Sequence, residues 1–305
     1  MSLRSNEQET MTTRPLVSIY VPTYNRRQLL ERAIESARSQ TLNNIEIIVV
    51  DDCSSDDTRE YLQSVAKEDP RVRFFLKPVN SGACASRNIA IRNARGKLAT
   101  GLDDDDYILP THVEGLVKLY DTKRISCTSP LAVFPQMATR SEDGSLDLMQ
   151  QPLNEVGFED LIVKNLVGNQ VLTSTSNFLN CGLFNERLPA WQDYDLWLRL
   201  ANSGTRFIKA ENASYIYEKE SGAGQISHKS HKKILEAYQI VSSNPDLSLN
   251  KQQRLLLKLN YYRYPQSPMP IADLRPFFRE GLFTSPTKTA IKKIALKAMA
   301  SLHLQ

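Results

Sequence analysis

Residues 96–107 of the chain read GKLATGLDDDDY, an apolar stretch of small residues that ends in four consecutive aspartates. Adjacent like charges repel one another, and aspartate is depleted in strands. The acidic stretch Asp103–Asp106 is therefore expected on a loop, with a partner that offsets the repulsion. Mg²⁺ or Mn²⁺ is such a partner, because these ions take oxygen ligands and often bind through one or two carboxylates plus substrate phosphates. The alternative for an isolated acidic run is a solvated turn.

Upstream of the acidic stretch, apolar runs alternate with segments of helical periodicity. The runs that predict strands are residues 15–21, 45–50, 72–76 and 98–102. The predicted helices are residues 26–40, a segment through Tyr61, Leu62 and Val65, and residues 83–94. Alternation of this kind builds a parallel sheet with helices on both faces, so the fold class is predicted to be α/β.

Polar residues follow each predicted strand. They are Thr23 and Tyr24, then Asp51 and Asp52, then residues 80–82, and finally the acidic stretch. In parallel sheets, ligands bind outside the carboxyl ends of the strands. The convergence of these loops on one edge favours a ligand or metal site over a solvated turn.

Composition limits the possible classes of protein. The 305 residues are 41% hydrophobic and 24% charged, which is typical of a globular protein of one large domain, or of a domain with an appendage. A net charge of +4 argues against a dedicated nucleic-acid binder. The four cysteines have no CxxC spacing, so we expect neither a zinc site nor a disulfide framework. Residues 1–14 are polar and lack the apolar core of a signal peptide, so a cytoplasmic protein with a disordered N-terminus is expected.

Four segments carry a more specific pattern. They read VSIYVPTYN at 17–25, IIVVDDCSSD at 47–56, NSGACASRN at 80–88 and LDDDD at 102–106. Neither the dinucleotide-binding motif G-x-G-x-x-G after the first strand nor the P-loop motif is present. In this order and spacing, the segments resemble family 2 glycosyltransferases of the GT-A fold. The resemblance implies a mostly parallel central sheet, a nucleotide-sugar donor and a divalent metal cofactor, Mn²⁺ or Mg²⁺.

The resemblance also implies which residues contact the nucleotide sugar. They are Pro22, Thr23, Tyr24, Asn25, Asp52, Asn80, Gly82, Arg87, Asp103 and Asp104. Residues 22–24 are implied to line the base pocket, and Asp52 to contact the base or ribose. Arg87 is implied near the diphosphate, Asp103 near the ribose or donor sugar, and Asp105 as the metal ligand.

Structural roles are the alternatives for three of these residues. Tyr24 could be a packing aromatic, Asp52 a helix cap, and Arg87 a solvated helix residue. The functional and structural interpretations place these side chains in different surroundings, so their burial and hydrogen bonds distinguish the two.

A fifth segment, at 182–200, reads GLFNERLPAWQDYDLWLRL. It resembles the family segment in which an acidic pair opens a helix, and the resemblance implies that Asp193 is the general base. Gln192 stands where the family usually has Glu, so a neighbouring carboxylate is missing. The alternative for Asp193 is a helix N-cap. Asp195 is the competing acid, and we expect it to be a structural residue of the first helical turn.

The second half of the chain does not alternate cleanly. Strands are expected at 125–137 and 170–179, a hairpin turn at 142–145 and a short helix at 158–166. The glycine-containing segment 218–225 is expected to be a mobile loop over the donor. His228 and His231 follow it, and each is either a further metal ligand or a surface histidine.

The predicted organisation has one catalytic domain and an extension. Residues 15–225 are expected to form the GT-A domain, with a nucleotide-binding half at 15–120 and an acceptor-facing half at 121–225. Residues 226–305 are expected to form a helical extension. Its tail at 287–305 carries Lys288, Lys292, Lys293 and Lys297 without an acid, so it either lies on an anionic membrane surface or packs on the catalytic domain.

The resemblance implies an inverting transfer of a sugar, expected from a UDP-sugar, to a hydroxyl of a glycan or lipid-linked glycan. The expected setting is the assembly of a surface polysaccharide such as O-antigen or capsule, on the inner face of the cell membrane. Two alternatives are a sugar nucleotidyltransferase and a non-catalytic nucleotide-sugar-binding protein. The first is disfavoured because residues 22–25 are not the Gly-rich basic loop of such enzymes.

Overall fold

The computed structural model of the chain describes residues 14–141, 144–218, 231–264, 269–270 and 273–282. Several predictions fall outside these residues. They concern the N-terminus at 1–13, positions 142–143 of the hairpin turn, the loop at 219–225, His228 and the basic tail at 287–305. The described residues contain no helix with the length and hydropathy that a membrane span requires.

The strands of the described chain join in one sheet. They are Val17–Thr23 (β1), Ile45–Asp51 (β2), Val72–Leu76 (β3), Leu98–Gly101 (β4), Tyr107–Ile108 (β5), Leu131–Arg140 (β6), Leu146–Leu148 (β7), Glu155–Val156 (β8), Leu172–Ser174 (β9) and Arg206–Tyr217 (β10). Their order is β3-β2-β1-β4-β9-β6-β10-β5, with β7 on β6 and β8 on β10.

The first four strands pair in parallel, as the alternation of strands and helices predicts. Beyond β4 the sheet is mixed, because β9 runs antiparallel to both β4 and β6 while β10 runs parallel to β6. The carboxyl ends of β1, β2 and β4 therefore meet at one edge of the sheet. The acidic stretch follows β4 at that edge.

The helices cover both faces of the sheet. They are Arg27–Arg38 (α1), Thr58–Glu68 (α2), Ala83–Arg92 (α3), His112–Arg124 (α4), Phe158–Val163 (α5), Thr175–Asn180 (α6), Gln192–Asn202 (α7), His231–Ser242 (α8), Lys251–Tyr261 (α9) and Leu274–Arg279 (α10).

Strand β1 shows how the core is divided. Ile19 and Val21 belong to a hydrophobic cluster with side chains of α1, α2 and α4. Tyr20 points to the opposite face and joins a cluster with side chains of α3, α7, α8 and α9. Successive side chains of a strand face opposite sides of the sheet, so a strand covered on both faces is apolar without alternation. This explains why all seven residues of β1 are buried.

Two predicted elements of the second half are wrong in part. The strand expected at 170–179 is only Leu172–Ser174, and a helix begins at Thr175. The hydroxyl of Ser174 accepts a hydrogen bond of 3.2 Å from the amide of Asn177, which starts that helix. The strand expected at 125–137 begins at Leu131, and Ile125 is exposed beyond the end of α4.

The carboxyl-terminal helices are packed on the rest of the molecule. Side chains of α8 and α9 share a hydrophobic cluster with those of α5 and α7. The domain boundaries at 120 and 225 stay predictions. The packing nevertheless places the end of α9 near the start of α7, where Asp193 lies.

Candidate active site

The strand ends form a pocket of about 230 Å³, here named the strand-end pocket. Its lining residues are Pro22, Thr23, Tyr24, Arg26, Asp52, Ala83, Ser86, Arg87, Asp103, Asp104 and Asp105. Most of the residues implied to bind a nucleotide sugar are in this set. Tyr24 is 45% exposed, so it is not the packing aromatic of the alternative interpretation.

Asn25, Asn80 and Gly82 do not line the strand-end pocket. Asn25 organises the neighbouring loop, because its amide donates to Ser54 Oγ at 2.9 Å and its Oδ1 accepts from the Ser55 amide at 2.7 Å. Asn80 is exposed. The amide of Gly82 donates to Asp52, which lines the pocket.

Asp52 joins the loop after β2 to the start of α3. Its buried carboxylate pairs with Lys77 and accepts hydrogen bonds from the amides of Ser81, at 2.9 Å, and Gly82, at 2.7 Å. Gly82 has φ +90°, a conformation that favours glycine. Asp52 is therefore not a helix cap. It fixes one wall of the strand-end pocket.

Asp103, the first acid of the stretch, is held by three side chains from two parts of the chain. Arg87 Nη2 donates to its Oδ1 at 2.8 Å, and Gln170 Nε2 donates to the same oxygen at 3.1 Å. Asn169 Nδ2 donates to Oδ2 at 2.9 Å. Each of these three contacts is donated by a side-chain N–H group, and the one from Arg87 is charge-assisted.

Asp106, the last acid, is buried and faces away from the pocket. The hydroxyl of Tyr215 donates to its Oδ2 at 2.6 Å, and the amide of Glu218 donates to Oδ1 at 3.1 Å. Burial, together with the charge of Asp103, raises the pKa of Asp106. Asp106 thus links the acidic stretch to the end of β10 through these two hydrogen bonds.

Asp104 and Asp105 share one guanidinium. Arg26 Nη1 lies 2.7 Å from Asp105 Oδ2 and 3.3 Å from Asp104 Oδ1. Burial raises the pKa of Asp104 to about 6, although Arg26 opposes the shift. Of the two carboxylates, Asp105 is the more open, with its side chain 32% exposed.

These carboxylates fit a hard divalent ion that binds together with a diphosphate. The described residues contain no group of three or more His, Cys, Asp or Glu side chains arranged to hold a metal. Mg²⁺ usually takes only one or two carboxylates and completes its shell with phosphate oxygens and water. The open carboxylate of Asp105 is a donor of this kind. His231 is instead in contact with Tyr261, whose hydroxyl lies 3.2 Å from its Nε2.

A second pocket of about 480 Å³, the Asp193 pocket, adjoins the first. Its lining residues are Arg87, Asp103, Lys164, Asn165, Asn169, Trp191, Gln192, Asp193, Tyr194, Tyr217, Asn260, Arg263 and Tyr264. Arg87 and Asp103 line both pockets. The ion pair between them therefore lies where the two pockets meet.

Asp193 is the second residue of α7, and the N-cap of that helix is Trp191. The N-cap role considered for Asp193 is therefore wrong. Trp191 has φ 60°, in the left-handed region that non-glycine residues seldom adopt. Such strained residues cluster at functional sites.

Asp195, two residues further, has the structural role expected of it. Its buried carboxylate accepts from Arg199 Nη2 at 2.7 Å and from Arg199 Nε at 2.9 Å. Arg199 Nη2 also donates to the carbonyl oxygen of Leu183 at 2.7 Å. Asp195 is absent from the lining of the Asp193 pocket.

Arg87 connects the two pockets electrostatically. It is only 6% exposed, so the interpretation as a solvated residue is wrong. Burial would lower the pKa of its guanidinium, but the charges of Asp103 and Asp193 raise it. Arg87 Nη1 also lies 3.4 Å from Gln192 Oε1, where the usual Glu would add a third negative charge.

Several residues of the site have no signal in the sequence. Asn169, Gln170 and Tyr215 hold the acidic stretch in place, and Arg26 pairs with its middle acids. Asn260, Arg263 and Tyr264 reach the Asp193 pocket from the end of α9. None belongs to a recognisable motif.

Comparisons with known proteins agree with this geometry. The family model "Glycosyl transferase family 2" matches residues 18–175. A putative colanic acid biosynthesis glycosyl transferase of Escherichia coli K12 is 38% identical over 222 residues, covering 71% of this chain and 77% of that protein. GalNAc(5)-diNAcBac-PP-undecaprenol beta-1,3-glucosyltransferase of Campylobacter jejuni is 27% identical, covering 79% of this chain and 78% of that protein. Chondroitin synthase of Pasteurella multocida is 33% identical over 192 residues, only 19% of its own length.

Solved structures share the fold at low sequence identity. S. aureus TarS 1–349 superposes with a TM-score of 0.65 at 17% identity, covering 86% of this chain and 78% of that chain. The mannosyltransferase PcManGT from Pyrobaculum calidifontis superposes with a TM-score of 0.54 at 16% identity, covering 95% and 87%. The predicted GT-A fold is confirmed. The strand-end motifs, the fold and the family match lead to one conclusion: the chain belongs to glycosyl transferase family 2.

Proposed function

We propose that the chain transfers a sugar from a UDP-sugar to a hydroxyl of a glycan or lipid-linked glycan, with inversion, in polysaccharide biosynthesis. The observation that carries this proposal is the Arg87–Asp103 ion pair shared by the two pockets. It allows a donor in the strand-end pocket to present its sugar to the Asp193 pocket. A direct transfer requires the donor sugar and the attacking hydroxyl to be held next to each other, and adjoining pockets can do this.

The nucleotide is assigned to the strand-end pocket. Pro22, Thr23 and Tyr24 line this pocket and are proposed to hold the base. Asp52 fixes another part of the lining through its contacts to the start of α3. TarS 1–349 has been crystallised with UDP and with UDP-GlcNAc, which supports the assignment of UDP.

Asp105 is proposed to bind Mn²⁺ or Mg²⁺ jointly with the donor diphosphate, and PcManGT was crystallised with GDP-Man and Mn²⁺. A metal ion bound there would offset the negative charge of the leaving diphosphate. Asp103, held by Arg87, Asn169 and Gln170, is proposed to orient the donor sugar. Arg87 keeps a positive charge at the junction of the pockets, next to the departing group.

Asp193 is proposed as the general base. It accepts the proton of the acceptor hydroxyl, and the hydroxyl oxygen forms a bond to the anomeric carbon. The bond from that carbon to the diphosphate oxygen breaks, and the nucleoside diphosphate leaves with the electron pair. One displacement of this kind inverts the anomeric configuration, and general-base help contributes about 10²- to 10⁴-fold.

The test combines binding and transfer. Calorimetric titration with UDP is expected to show binding that Mn²⁺ strengthens in the wild-type chain and not in Asp105→Ala. A panel of UDP-sugars with lipid-linked acceptors is then expected to yield product, which Asp193→Asn abolishes while UDP affinity is kept. Asp121→Asn, an exposed acid on α4, is the matched control and should change neither.

Three outcomes would contradict the proposal. If GDP or dTDP binds and UDP does not, the donor is not a UDP-sugar. Full transfer by Asp193→Asn would remove Asp193 from its role as base. Retained nucleotide-sugar binding without any transfer would favour the non-catalytic alternative. Contact of residues 287–305 with an anionic membrane stays a prediction.

A further inference from the structure

The Asp193 pocket contains more positive than negative charge. Its lining includes three cations, Arg87, Lys164 and Arg263, and two carboxylates, Asp103 and Asp193. Arg87 interacts with both carboxylates, as its ion pair with Asp103 and its raised pKa show. Lys164 and Arg263 are the two cations that give the lining its net positive charge.

Arg263 is the more informative of these two cations. It is half-buried, and its Nε is buried without a hydrogen-bond partner in the described part of the chain. Burial lowers the pKa of its guanidinium, and an interaction with Tyr194 opposes the shift. A partly buried charge without a carboxylate partner costs free energy. A ligand that brings a negative charge would remove that cost.

Lys164 supplies a second positive charge on the same pocket. It follows the end of α5, is exposed, and forms no ion pair with any residue in the ranges that the structure describes. Arg263 follows α9, so the two cations come from different elements. Their convergence on one cavity is a property of the fold and has no counterpart in a sequence motif.

The lining of the Asp193 pocket also includes aromatic rings. Trp191 Nε1 donates a hydrogen bond of 2.8 Å to the hydroxyl of Tyr264, and the two ring centroids are 6.2 Å apart. Tyr194 lies edge-on to Trp191 at 5.4 Å. Such rings are held in place by packing and offer flat apolar surface with polar tips. The C–H face of a pyranose ring is complementary to a surface of this kind.

We propose that the acceptor is an anionic saccharide, whose sugar ring packs on Trp191 and Tyr264 and whose carboxylate or phosphate binds Lys164 and Arg263. This inference rests on the proposed function, because it takes Asp193 to face the attacking hydroxyl. It adds the chemical class of the acceptor. A carboxylate would come from a uronic acid, and a phosphate from a sugar phosphate or diphosphate.

Trp191 provides the readout for a binding test. It is 8% exposed and lines the Asp193 pocket, whereas Trp197, the other of the chain's two tryptophans, is fully buried and does not line it. The protein is first titrated with UDP in the presence of Mn²⁺ and then kept saturated. Tryptophan fluorescence is followed while methyl β-glucuronide, glucose 1-phosphate or the neutral methyl β-glucoside is added. We expect at least one of the two anions to bind about ten-fold more tightly than the neutral glycoside, as a charge-assisted contact implies.

Four variants test the assignment to residues. Arg263→Gln and Lys164→Gln are each expected to weaken binding of the preferred anion about ten-fold and to leave the neutral glycoside and UDP unaffected. Arg59→Gln on α2 and Lys118→Gln on α4 make the same changes of charge at exposed positions outside both pockets, and should alter nothing. Preference for the glucuronide identifies a carboxylate, and preference for glucose 1-phosphate identifies a phosphate.

The inference and the proposed function can fail separately. Absence of nucleotide binding in the first titration would count against the proposed function. With UDP bound, equal binding of charged and neutral saccharides would overturn the inference alone. Unchanged affinity for the preferred anion in both Arg263→Gln and Lys164→Gln would overturn it as well.

Discussion

Gln170 crosses directly over Gly101 to reach Asp103. Its Nε2 donates a hydrogen bond of 3.1 Å to Asp103 Oδ1, and a Cβ at position 101 would lie only 1.9 Å from its Oε1. The absence of a side chain at Gly101 is what allows this contact. The positioning of the first acid thus depends on a glycine two residues before it.

Gly101→Ala is therefore expected to destabilise the protein by about 1–3 kcal/mol, because Gln170 and the ring of Tyr20 must both shift. It should also weaken UDP binding, since Asp103 loses a donor. Urea unfolding and UDP titration measure the two effects. Gly115→Ala is the control: it lies within α4 with nothing within 4 Å of an added Cβ, so it should be neutral or slightly stabilising. Equal stability of the two variants would contradict the prediction.

The two acids in the first turn of α7 should respond differently to loss of charge. Asp195→Asn removes the buried partner of Arg199 and is expected to lower the free energy of unfolding by about 3–5 kcal/mol. Asp193→Asn is expected to change that free energy by less than about 1 kcal/mol, because its role is in the pocket. Thermal or urea unfolding of both variants checks this. A large loss of stability in Asp193→Asn would indicate that its role is mainly structural.

Gln192→Glu introduces an acid next to Asp193, the proposed general base, as the family resemblance implies for this position. The new carboxylate would lie beside Arg87, whose Nη1 is 3.4 Å from Gln192 Oε1. An added negative charge near Asp193 disfavours its ionised form and raises its pKa. The acidic limb of the pH profile of kcat/KM should therefore move to higher pH, by up to about one unit. Gln192→Met, which adds no charge, is the control. If the pH profiles of Gln192→Glu and Gln192→Met coincide, the charge at residue 192 does not affect the pKa of Asp193.

His112 should make the protein sensitive to acid. It is buried, its Nδ1 lies 2.9 Å from Ser214 Oγ, and burial lowers its pKa from 6.5 to about 3. Between these values the unfolded chain binds a proton that the folded chain does not, so stability rises with pH. His112 contributes about 1.4 kcal/mol per pH unit to this slope. The contribution is fully present above about pH 6.5 and is lost as the pH falls towards 3.

His112→Asn keeps a polar group near Ser214 and cannot be protonated. Its free energy of unfolding should therefore fall less steeply than that of the wild type between pH 6.5 and pH 4. The quantity to compare is the difference between the two slopes, since the carboxylates contribute to both. If the free energies of unfolding of the wild type and of His112→Asn have the same slope against pH, His112 does not contribute to the acid sensitivity.

The fold of residues 15–102 was predictable because its signals are local. Each of its strands is a compact apolar run followed by a polar loop, so Asp52 and Asp103 are placed by the strands that precede them and Pro22 lies near the end of β1. The predictions fail where a local hydrogen bond or a tertiary contact overrides the apolar pattern of the sequence. The run at 170–179 is apolar enough for a strand, but the Ser174 hydroxyl caps a helix in its second half.

The side chains that complete the site come from far along the chain. Asn169 and Tyr215 reach the acidic stretch from 66 and 109 residues away, and Arg263 reaches the Asp193 pocket from the end of a helix that no motif marks. A hydrogen bond to a distant residue imposes no periodicity on the sequence around the donor. Such partners are determined by tertiary packing, and a single sequence does not reveal them.

The sharing of Arg87 and Asp103 by two otherwise separate pockets has an evolutionary consequence. The far wall of the Asp193 pocket, with Arg263 and Tyr264, comes from a segment after the residues that match the family. Under the proposed function, a substitution in that segment alters the lining of the Asp193 pocket and leaves every residue of the strand-end pocket in place. The acceptor could therefore change without a change in donor, because in the described chain the two linings share only the Arg87–Asp103 ion pair.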